Sequence, residues 1–285
     1  MGRATNRRSC RRLMNTSRTD PPEPLVSVVM PCFNGATYLG EAIASVCEQT
    51  FVDWELLVVD NGSTDRSTSI AGEFARRDPR VRVLSCATPG AAHARNLGIR
   101  EARGRYIAFL DCDDSWMPGK LESQLEAMRR HDAALCWGSY EVIDAEGRPQ
   151  RVQLATATTS YDDFMAKRNV FGCLTVVFDT AKVGKQYMPD LRMRQDYALW
   201  AKIIRQAEAE RLALVGLPQV LARYRVHPEA MTRNKAKAAY YQWRLYRDAE
   251  NLGLIRSLRF FRHYLVNALA DRRELRGRAG GAADS

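Results

Sequence analysis

Three aspartates near the middle of the chain are the residues best suited to chemistry. Asp111, Asp113 and Asp114 directly follow the apolar segment Tyr106 to Leu110, which has the composition of a buried strand. Carboxylates suit Mg²⁺ or Mn²⁺, and Mg²⁺ usually binds one or two of them while substrate phosphates and water complete its shell. Asp111 and Asp113 are therefore predicted metal ligands for a phosphorylated substrate. The alternative is an acidic cap for the helix predicted from Lys120 to Arg130.

The segments before the acids must position them, and they read as alternating strands and helices. Apolar runs closed by turn residues predict strands, and stretches with helical periodicity separate them. The predicted strands begin at Val26, Trp54 and Val81, and the predicted helices run from Tyr38 to Glu48 and from Arg66 to Arg77. This alternation predicts an α/β fold with a mostly parallel central sheet and helices on both faces. Such sheets bind ligands at the carboxyl ends of their strands, where the acids lie.

Six segments in this order resemble family 2 glycosyltransferases. They are VSVVMPCFN from Val26, VVDNGSTD from Val58, ARNLG from Ala94, FLDCDDSW from Phe109, RQDYALW from Arg194 and YRVH from Tyr224. The resemblance extends from Pro24 to His227 and implies the A-type nucleotide-sugar-binding fold of that family. No Gly-x-Gly-x-x-Gly follows the first strand and no P-loop Gly-Lys-Ser/Thr occurs, which disfavours a dinucleotide enzyme and a P-loop enzyme.

The resemblance implies a donor-binding role for several residues at the strand ends. Asp60 resembles the residue that accepts a hydrogen bond from the uracil ring, and Pro31 with Asn34 frames the same pocket. Arg95 resembles the arginine that approaches the nucleotide, although a salt bridge to the acidic cluster would explain it equally well. The Asp-x-Asp pair would hold the sugar diphosphate through Mg²⁺ or Mn²⁺.

The later segments supply the residues implied in catalysis. Asp196 resembles the family's catalytic base, while Gln195 stands where the family usually has Glu. One base opposite one leaving group predicts a single displacement with inversion at the anomeric carbon. The alternative for Asp196 is an N-cap for a helix predicted from Tyr197 to Gln206. His227 is implied to contact metal or phosphate, with a structural hydrogen bond as its alternative.

The acceptor-side half gives weaker signals. Its pattern predicts a strand from Ala134 to Ile143, a turn at Asp144, a short helix from Ser160 to Arg168 and a strand from Phe171 to Phe178. The resemblance implies that this half binds the acceptor, and the sequence does not identify which acceptor that is.

The net charge of +10 comes from the two ends of the chain, because residues 25–222 are close to neutral. This distribution predicts appendages around a neutral catalytic domain. The predicted division is a disordered basic arm over 1–24, a catalytic domain over 25–230, a basic amphipathic helical tail over 231–278 and a disordered end over 279–285. Within the catalytic domain, 25–116 is the nucleotide-sugar-binding half and 117–230 the acceptor-side half.

The predicted tail is a helical tract from Ala236 to Leu275 with a break at Asn251 to Gly253. One face carries Leu254, Leu258, Phe261 and Leu265, and other faces carry Arg256, Arg259, Arg262 and His263. Such a helix binds an anionic membrane surface, or packs its apolar face on the domain and leaves its arginines in water. No nucleic acid partner is expected, because the basic residues are not interleaved with an aromatic stacking platform.

The compartment is predicted from cysteines and hydropathy. Seven cysteines with no Cys-x-x-Cys favour free thiols in a reducing compartment. No apolar run approaches the ~18–20 residues that span a bilayer, and the arginine-rich start lacks the apolar segment of a secretory signal. We therefore expect a cytoplasmic protein, which the basic tail would hold peripherally on the inner face of the plasma membrane.

The expected function is that of an inverting family 2 glycosyltransferase. It would move a hexose-type sugar from a UDP-sugar to a saccharide or polyprenyl-linked saccharide in cell-surface polysaccharide synthesis. A sugar-phosphate nucleotidyltransferase is one alternative, but the first loop lacks its Gly-rich, Arg/Lys-bearing sequence. A non-catalytic nucleotide-sugar-binding protein at the membrane is another, and the retention of Asp111, Asp113 and Asp196 disfavours it.

Overall fold

The computed structural model of the protein describes residues 23–166, 171–227 and 235–266, with side chains from residue 237 in the last range. The strands are β1 (Val26–Cys32), β2 (Trp54–Asp60), β3 (Val81–Ser85), β4 (Tyr106–Phe109), β5 (Ser115–Trp116), β6 (Ala133–Ile143), β7 (Pro149–Gln153), β8 (Val177–Asp179) and β9 (Ala213–Arg225). The helices are α1 (Leu39–Cys47), α2 (Ser67–Arg77), α3 (Ala91–Glu101), α4 (Lys120–His131), α5 (Tyr161–Met165), α6 (Thr180–Val183), α7 (Gln195–Glu210), α8 (Lys235–Arg244) and α9 (254–266).

All nine strands join one sheet in the order β3-β2-β1-β4-β8-β6-β9-β5, with β7 paired to β6. Strands β1 to β4 are parallel neighbours, and β6 and β9 run in the same direction. The short strands β5, β7 and β8 run opposite to them. The carboxyl ends of β1, β2, β4, β6 and β9 therefore meet at one edge, and the predicted fold class is confirmed.

Both faces of the sheet are covered, as its continuous apolar strands predict. Along β1, Val28 and Met30 face a core shared with α1 and α4, whereas Val29 faces a second core shared with α3 and α7. The close packing of α3 on β1 requires Gly98, where an added Cβ would lie 2.4 Å from a Val29 methyl carbon. The first three strands begin at the predicted residues, and α1, α2 and α4 match the predicted helices within one residue at each end. The short strand β5 was not predicted.

The strand predicted from Phe171 to Phe178 is wrong over most of its length. A 3₁₀ turn occupies Cys173–Thr175, because the amide and hydroxyl of Thr175 both donate to the Gly172 carbonyl at 3.0 Å. Only Val177–Asp179 pairs with the neighbouring strands. The helix predicted from Ser160 to Arg168 is observed as the shorter α5, and residues 167–170 lie outside the described ranges.

The C-terminal helices belong to the same core as the sheet. Leu245, Tyr246 and Phe260 are buried in the cluster that includes α3 and α7. The predicted break at 251–253 separates α9 from a π-helical segment, Leu245–Ala249, that extends α8. The predicted tract beyond residue 266 falls outside the described chain. The Tyr246 hydroxyl donates to the Met165 carbonyl at 2.8 Å, which fixes these helices on α5.

The face of α9 that packs is not the predicted one. Leu254, Leu258 and Leu265 are exposed, whereas Ser257 and Phe260 are buried. The aromatic side of the helix therefore faces the core, and the leucine side faces outward.

Candidate active site

Two loops that follow β1 and β2 are tied together at the carboxyl edge of the sheet. Asn34 adopts a left-handed conformation, with φ of 50°, and its side-chain oxygen accepts from the Thr64 amide at 2.8 Å. The Asn34 amide in turn donates to the Ser63 hydroxyl at 3.0 Å. Pro31 is buried within β1 opposite Val59 of β2, so it shapes the strand end and presents no polar group. Asn34 thus joins the two loops that would form the predicted pocket for the nucleotide base.

Asp60, the last residue of β2, closes its own turn by accepting two weak hydrogen bonds. The Gly62 and Ser63 amides donate to its two carboxylate oxygens at 3.3 Å each. The half-buried carboxylate keeps further acceptor capacity, because two oxygens offer about four lone pairs. Phe33 stands at the neighbouring strand end with 62% of its surface exposed. This ring was not among the predicted site residues, and its signal in the sequence is an aromatic residue in an otherwise small and polar loop.

Asn61, next to Asp60, fastens the start of α3 to the same edge. Its side-chain nitrogen donates to the Thr88 carbonyl at 2.7 Å, and its oxygen accepts from the Gly90 amide at 2.6 Å. The sequence marked this asparagine only as a turn residue, and its role in positioning α3 comes from contacts about 27–29 residues away.

Arg95 on α3 forms an ion pair with Asp111, so the salt bridge considered from sequence is present. The arginine side chain is buried, and its Nε has no hydrogen-bond partner among the described residues. Burial disfavours its charge, but the pKa of Arg95 is held above its ordinary value, chiefly by Asp111 and less by Cys173 and Asp196. Arg95 therefore links the acidic loop electrostatically to Asp196, the predicted catalytic base.

Asp113 and His227 face each other across the site. Nε2 of His227 lies 3.0 Å from Oδ2 of Asp113, although their positions are 114 residues apart. Burial, together with the charge of Asp111, raises the pKa of Asp113. A third of the Asp113 side chain is exposed, so this disfavoured negative charge is accessible to a cation. Tyr38 packs on the histidine ring, with centroids 5.6 Å apart.

Asp114 is the buried member of the acidic cluster. Its carboxylate accepts the Arg225 backbone amide at 2.8 Å, and burial with the charges of Asp113 and Asp111 raises its pKa well above the ordinary value. This side chain holds the acidic loop to the end of β9, where it is not available to substrate.

Arg225 clamps the acidic loop from the other side. Its side chain is only 3% exposed, its Nε donates to the Asp113 carbonyl at 3.0 Å, and its Nη2 donates to Glu41 at 2.6 Å. Nη1 reaches the Ala145 carbonyl at 3.3 Å, and the guanidinium lies 4.5 Å from the centroid of the Tyr38 ring. In the sequence Arg225 stands out only as part of the YRVH segment, from which no role was predicted for it.

Cys112 separates the two predicted metal ligands and packs against the first loop. An added Cβ at Gly35 would lie 2.7 Å from its sulfur, so this close approach requires glycine. A hydrogen bond with Cys112 lowers the pKa of Cys32. All six cysteines in the described ranges are free thiols.

Asp196 lies in the first turn of α7 and is half-buried. The N-cap position belongs to Arg194, whose φ is 68°, so the N-cap alternative for Asp196 is wrong. A carboxylate in the first turn still interacts favourably with the helix dipole. The segment before α7 is fixed on α3 by Asn96, which exchanges two 2.8 Å hydrogen bonds with the backbone of Met188.

The donor set is compatible with Mg²⁺ or Mn²⁺. No three His, Cys, Asp or Glu side chains converge as a metal cluster in the described chain. Asp113, however, offers carboxylate oxygen beside the imidazole of His227, and Asp111 adds a partly exposed carboxylate from the same loop. The two carboxylates supply the oxygen donors that suit these ions.

The mostly parallel sheet, with helices on both faces and an acidic loop at its carboxyl edge, is that of the A-type glycosyltransferase fold. Residues 27–186 match the family model of glycosyl transferase family 2, and the chain belongs to this family.

Two bacterial relatives are similar along most of their length. The chain is 36% identical to a teichuronic acid biosynthesis glycosyltransferase, TuaG, of Bacillus subtilis strain 168, over 88% of this chain and 98% of the relative. It is 32% identical to the Escherichia coli UDP-Glc:alpha-D-GlcNAc-diphosphoundecaprenol beta-1,3-glucosyltransferase WfgD, over 85% of this chain and 91% of the relative.

Two solved structures share the fold. S. aureus TarS 1–349 in complex with UDP superposes with a TM-score of 0.62 at 21% identity, over 84% of this chain and 70% of TarS. The mannosyltransferase PcManGT of Pyrobaculum calidifontis with GDP-Man and Mn²⁺ gives 0.60 at 18% identity, over 92% of this chain and 76% of that one.

Proposed function

We propose that this glycosyltransferase transfers a hexose-type sugar from a UDP-sugar to a saccharide or polyprenyl-linked saccharide, with inversion, in cell-surface polysaccharide synthesis. The observation that carries the proposal is the grouping of three acidic elements around one edge of the sheet. These are Asp60 after β2, the loop with Asp111 and Asp113 after β4, and Asp196, whose charge acts on Arg95 together with that of Asp111.

The donor would lie across the ends of β1, β2 and β4. Asp60 keeps acceptor capacity for the ring N–H of a uracil, and the exposed Phe33 offers a surface on which a base can stack. Asp111, Asp113 and His227 would hold Mg²⁺ or Mn²⁺ at the diphosphate. Such an ion, when bound, stabilises the negative charge of the departing diphosphate.

Asp196 is the proposed base. The acceptor hydroxyl oxygen attacks the anomeric carbon, the bond from that carbon to the diphosphate oxygen breaks, and the hydroxyl proton moves to the Asp196 carboxylate. One such displacement inverts the anomeric centre. Arg95 neutralises part of the charge between the acidic loop and the base, and it holds Asp111 in place.

The proposed location is the cytoplasm, at the inner face of the plasma membrane. Support comes from the name of the Escherichia coli relative, whose acceptor is a diphosphoundecaprenol-linked sugar. In the described ranges no helix combines the length and apolarity that crossing a membrane requires, so the proposed contact is peripheral.

The test is a UDP-release assay over a panel of nucleotide-sugars with Mn²⁺ and with EDTA, followed by product stereochemistry. We expect UDP release from one UDP-hexose, a loss of it in EDTA and a product of inverted configuration. Asp196→Asn should lower turnover by ~10²–10⁴-fold and leave donor affinity unchanged, because it removes only the base. Asp190→Asn, at a loop aspartate that is 82% exposed, is the matched control.

Wild-type turnover in Asp196→Asn would eliminate this residue as the base. Release of GDP or CDP in place of UDP would refute the assignment of a UDP-sugar donor. A product of retained configuration would refute the single-displacement mechanism.

A further inference from the structure

The helix α9 turns aliphatic side chains to solvent. Its packed face consists of Ser257, Phe260 and Tyr264, which are buried. Its opposite face, here called the outward face, exposes between 44% and 86% of five large aliphatic residues. These are Leu254, Ile255, Leu258, Leu265 and Val266.

The five positions lie on one side of the helix. At 3.6 residues per turn they occupy an arc of roughly 120°. Arg262 falls inside this arc and Arg259 at its edge, and both are exposed. Single apolar residues are common on protein surfaces, but five large aliphatic residues on one side of a helix are typical of an interaction site.

The rotation of α9 is fixed, so the outward face cannot turn inward without cost. Phe260 is 2% exposed and packs on Tyr246 with ring centroids 5.9 Å apart. At the other side of the packed face, Nη2 of Arg256 donates to Asp162 at 2.6 Å. Burying the outward face would expose Phe260 and break this ion pair.

Charge favours one occupant for the outward face. Residues 254–266 include three arginines and one histidine but no Asp or Glu. A second copy packed symmetrically on this face would bring Arg259 and Arg262 towards their own counterparts, which is unfavourable. The chain after residue 266 has four arginines against three acids and only two leucines, so it offers neither surplus acid nor a large apolar surface.

We propose that the outward face of α9 docks on an anionic lipid bilayer. Its aliphatic side chains would enter the boundary between headgroups and acyl chains, while Arg259 and Arg262 pair with lipid phosphates. The physiological reason for docking rests on the proposed function, since a polyprenyl-linked acceptor lies in that membrane, but the docking itself follows from the surface.

The test is co-sedimentation of the whole protein with vesicles of phosphatidylcholine containing 30% phosphatidylglycerol, against pure phosphatidylcholine, at low and high salt. We expect binding to the anionic vesicles that weakens with salt. Arg259→Gln with Arg262→Gln should lower the partition coefficient about 25-fold, because each basic residue contributes about fivefold near such a surface. Ile255→Gln with Leu258→Gln should lower it at least ~10-fold through lost apolar burial.

Matched controls use equally exposed residues elsewhere. Arg129→Gln with Arg130→Gln, on α4, and Val52→Gln, which alters a residue that is 66% exposed, should change the partition coefficient by less than about twofold. If the apolar pair lowers the melting temperature, the single variant Ile255→Gln, at the most exposed position, takes its place.

Three results would overturn the proposal. These are no binding to anionic vesicles at low salt, equal losses in the control variants, or a dimer in sedimentation velocity that dissociates with the apolar pair. Vesicle binding needs no donor or acceptor, so it is read independently of the sugar transfer. A protein that binds vesicles but releases no UDP would refute the proposed function alone.

Discussion

Replacing Arg225 tests whether the buried clamp positions the acidic loop for the donor. Arg225→Gln removes the donor to Asp113's carbonyl, the contact with Ala145 and the ion pair with Glu41. A hydrogen bond from a charged group contributes about 1.5–3 kcal/mol. The Glu41 pair contributes less, about 0–1 kcal/mol, because half of that carboxylate side chain is in water. With the two hydrogen bonds and the ion pair lost, we expect the free energy of unfolding to fall by about 3–7 kcal/mol.

The losses in UDP binding and in kcat/KM should exceed those expected from reduced stability alone. A loop that shifts by about 1 Å misplaces reacting groups and costs on the order of 10²-fold in rate. Well below the melting temperature, Arg225→Gln should therefore weaken metal-dependent UDP binding and lower kcat/KM by about 10–10²-fold. Arg225→Lys should recover only part of this, because one ammonium cannot reach three partners at once. Calorimetry with UDP and Mn²⁺, and chemical unfolding on the same samples, give both quantities.

The matched control is Arg223→Gln, two residues earlier on β9. Arg223 is 47% exposed and has a 3.2 Å ion pair with Glu141, so the change should cost less than about 1 kcal/mol and leave the donor site intact. If Arg225→Gln lost stability but kept wild-type UDP affinity and kcat/KM, Arg225 would support the fold without positioning the loop.

Three further changes give separate readouts. Asp113→Ala should abolish metal-dependent UDP binding without unfolding the protein, and undiminished binding in calorimetry would refute the metal assignment. Asp60→Ala should weaken UDP binding by ~1–3 kcal/mol, and an unchanged affinity would exclude base recognition by this residue. Burial lowers the pKa of Lys120 from 10.5 to about 7. The unfolded chain then holds a proton that the folded chain lacks, so stability should rise from about pH 7 to pH 10 by up to about 1.4 kcal/mol per unit, and Lys120→Met should remove that rise in urea titrations. Equal slopes in both proteins would contradict a neutral buried Lys120.

The first half of the fold, from β1 to β4, could be predicted because its strands are buried on both faces. Such strands read as continuous apolar runs, and the acids stand out where each run ends, as at Asp60 and Asp111. The elements after α4 gave weaker signals. The strand β7 is almost entirely exposed and shows no apolar alternation, and the turn at Cys173–Thr175 has the composition of a strand.

Contacts between distant residues could not be predicted from one sequence. Arg225 and Asp113 are 112 residues apart, and only the topology, which aligns the carboxyl ends of β4 and β9, brings them together. Asn61 and Asn96 likewise have ordinary local explanations as a turn residue and a helical residue. Asn61 holds the start of α3 through Thr88, 27 residues later, and Asn96 holds the segment before α7 through Met188, 92 residues later. Neither contact is visible in the local sequence.

The orientation of α9 illustrates what periodicity leaves open. A helical repeat of apolar residues predicts that a helix has an apolar side, but α9 has two such sides, one aliphatic and one aromatic. The surface formed by Tyr246 and its neighbours accepts the ring of Phe260, and an aromatic side chain buries more area than a leucine. The aromatic side therefore faces the core and the aliphatic side remains exposed beside Arg262. Packing on the domain and docking on a membrane use different faces of this helix, so the two readings of the basic tail are compatible.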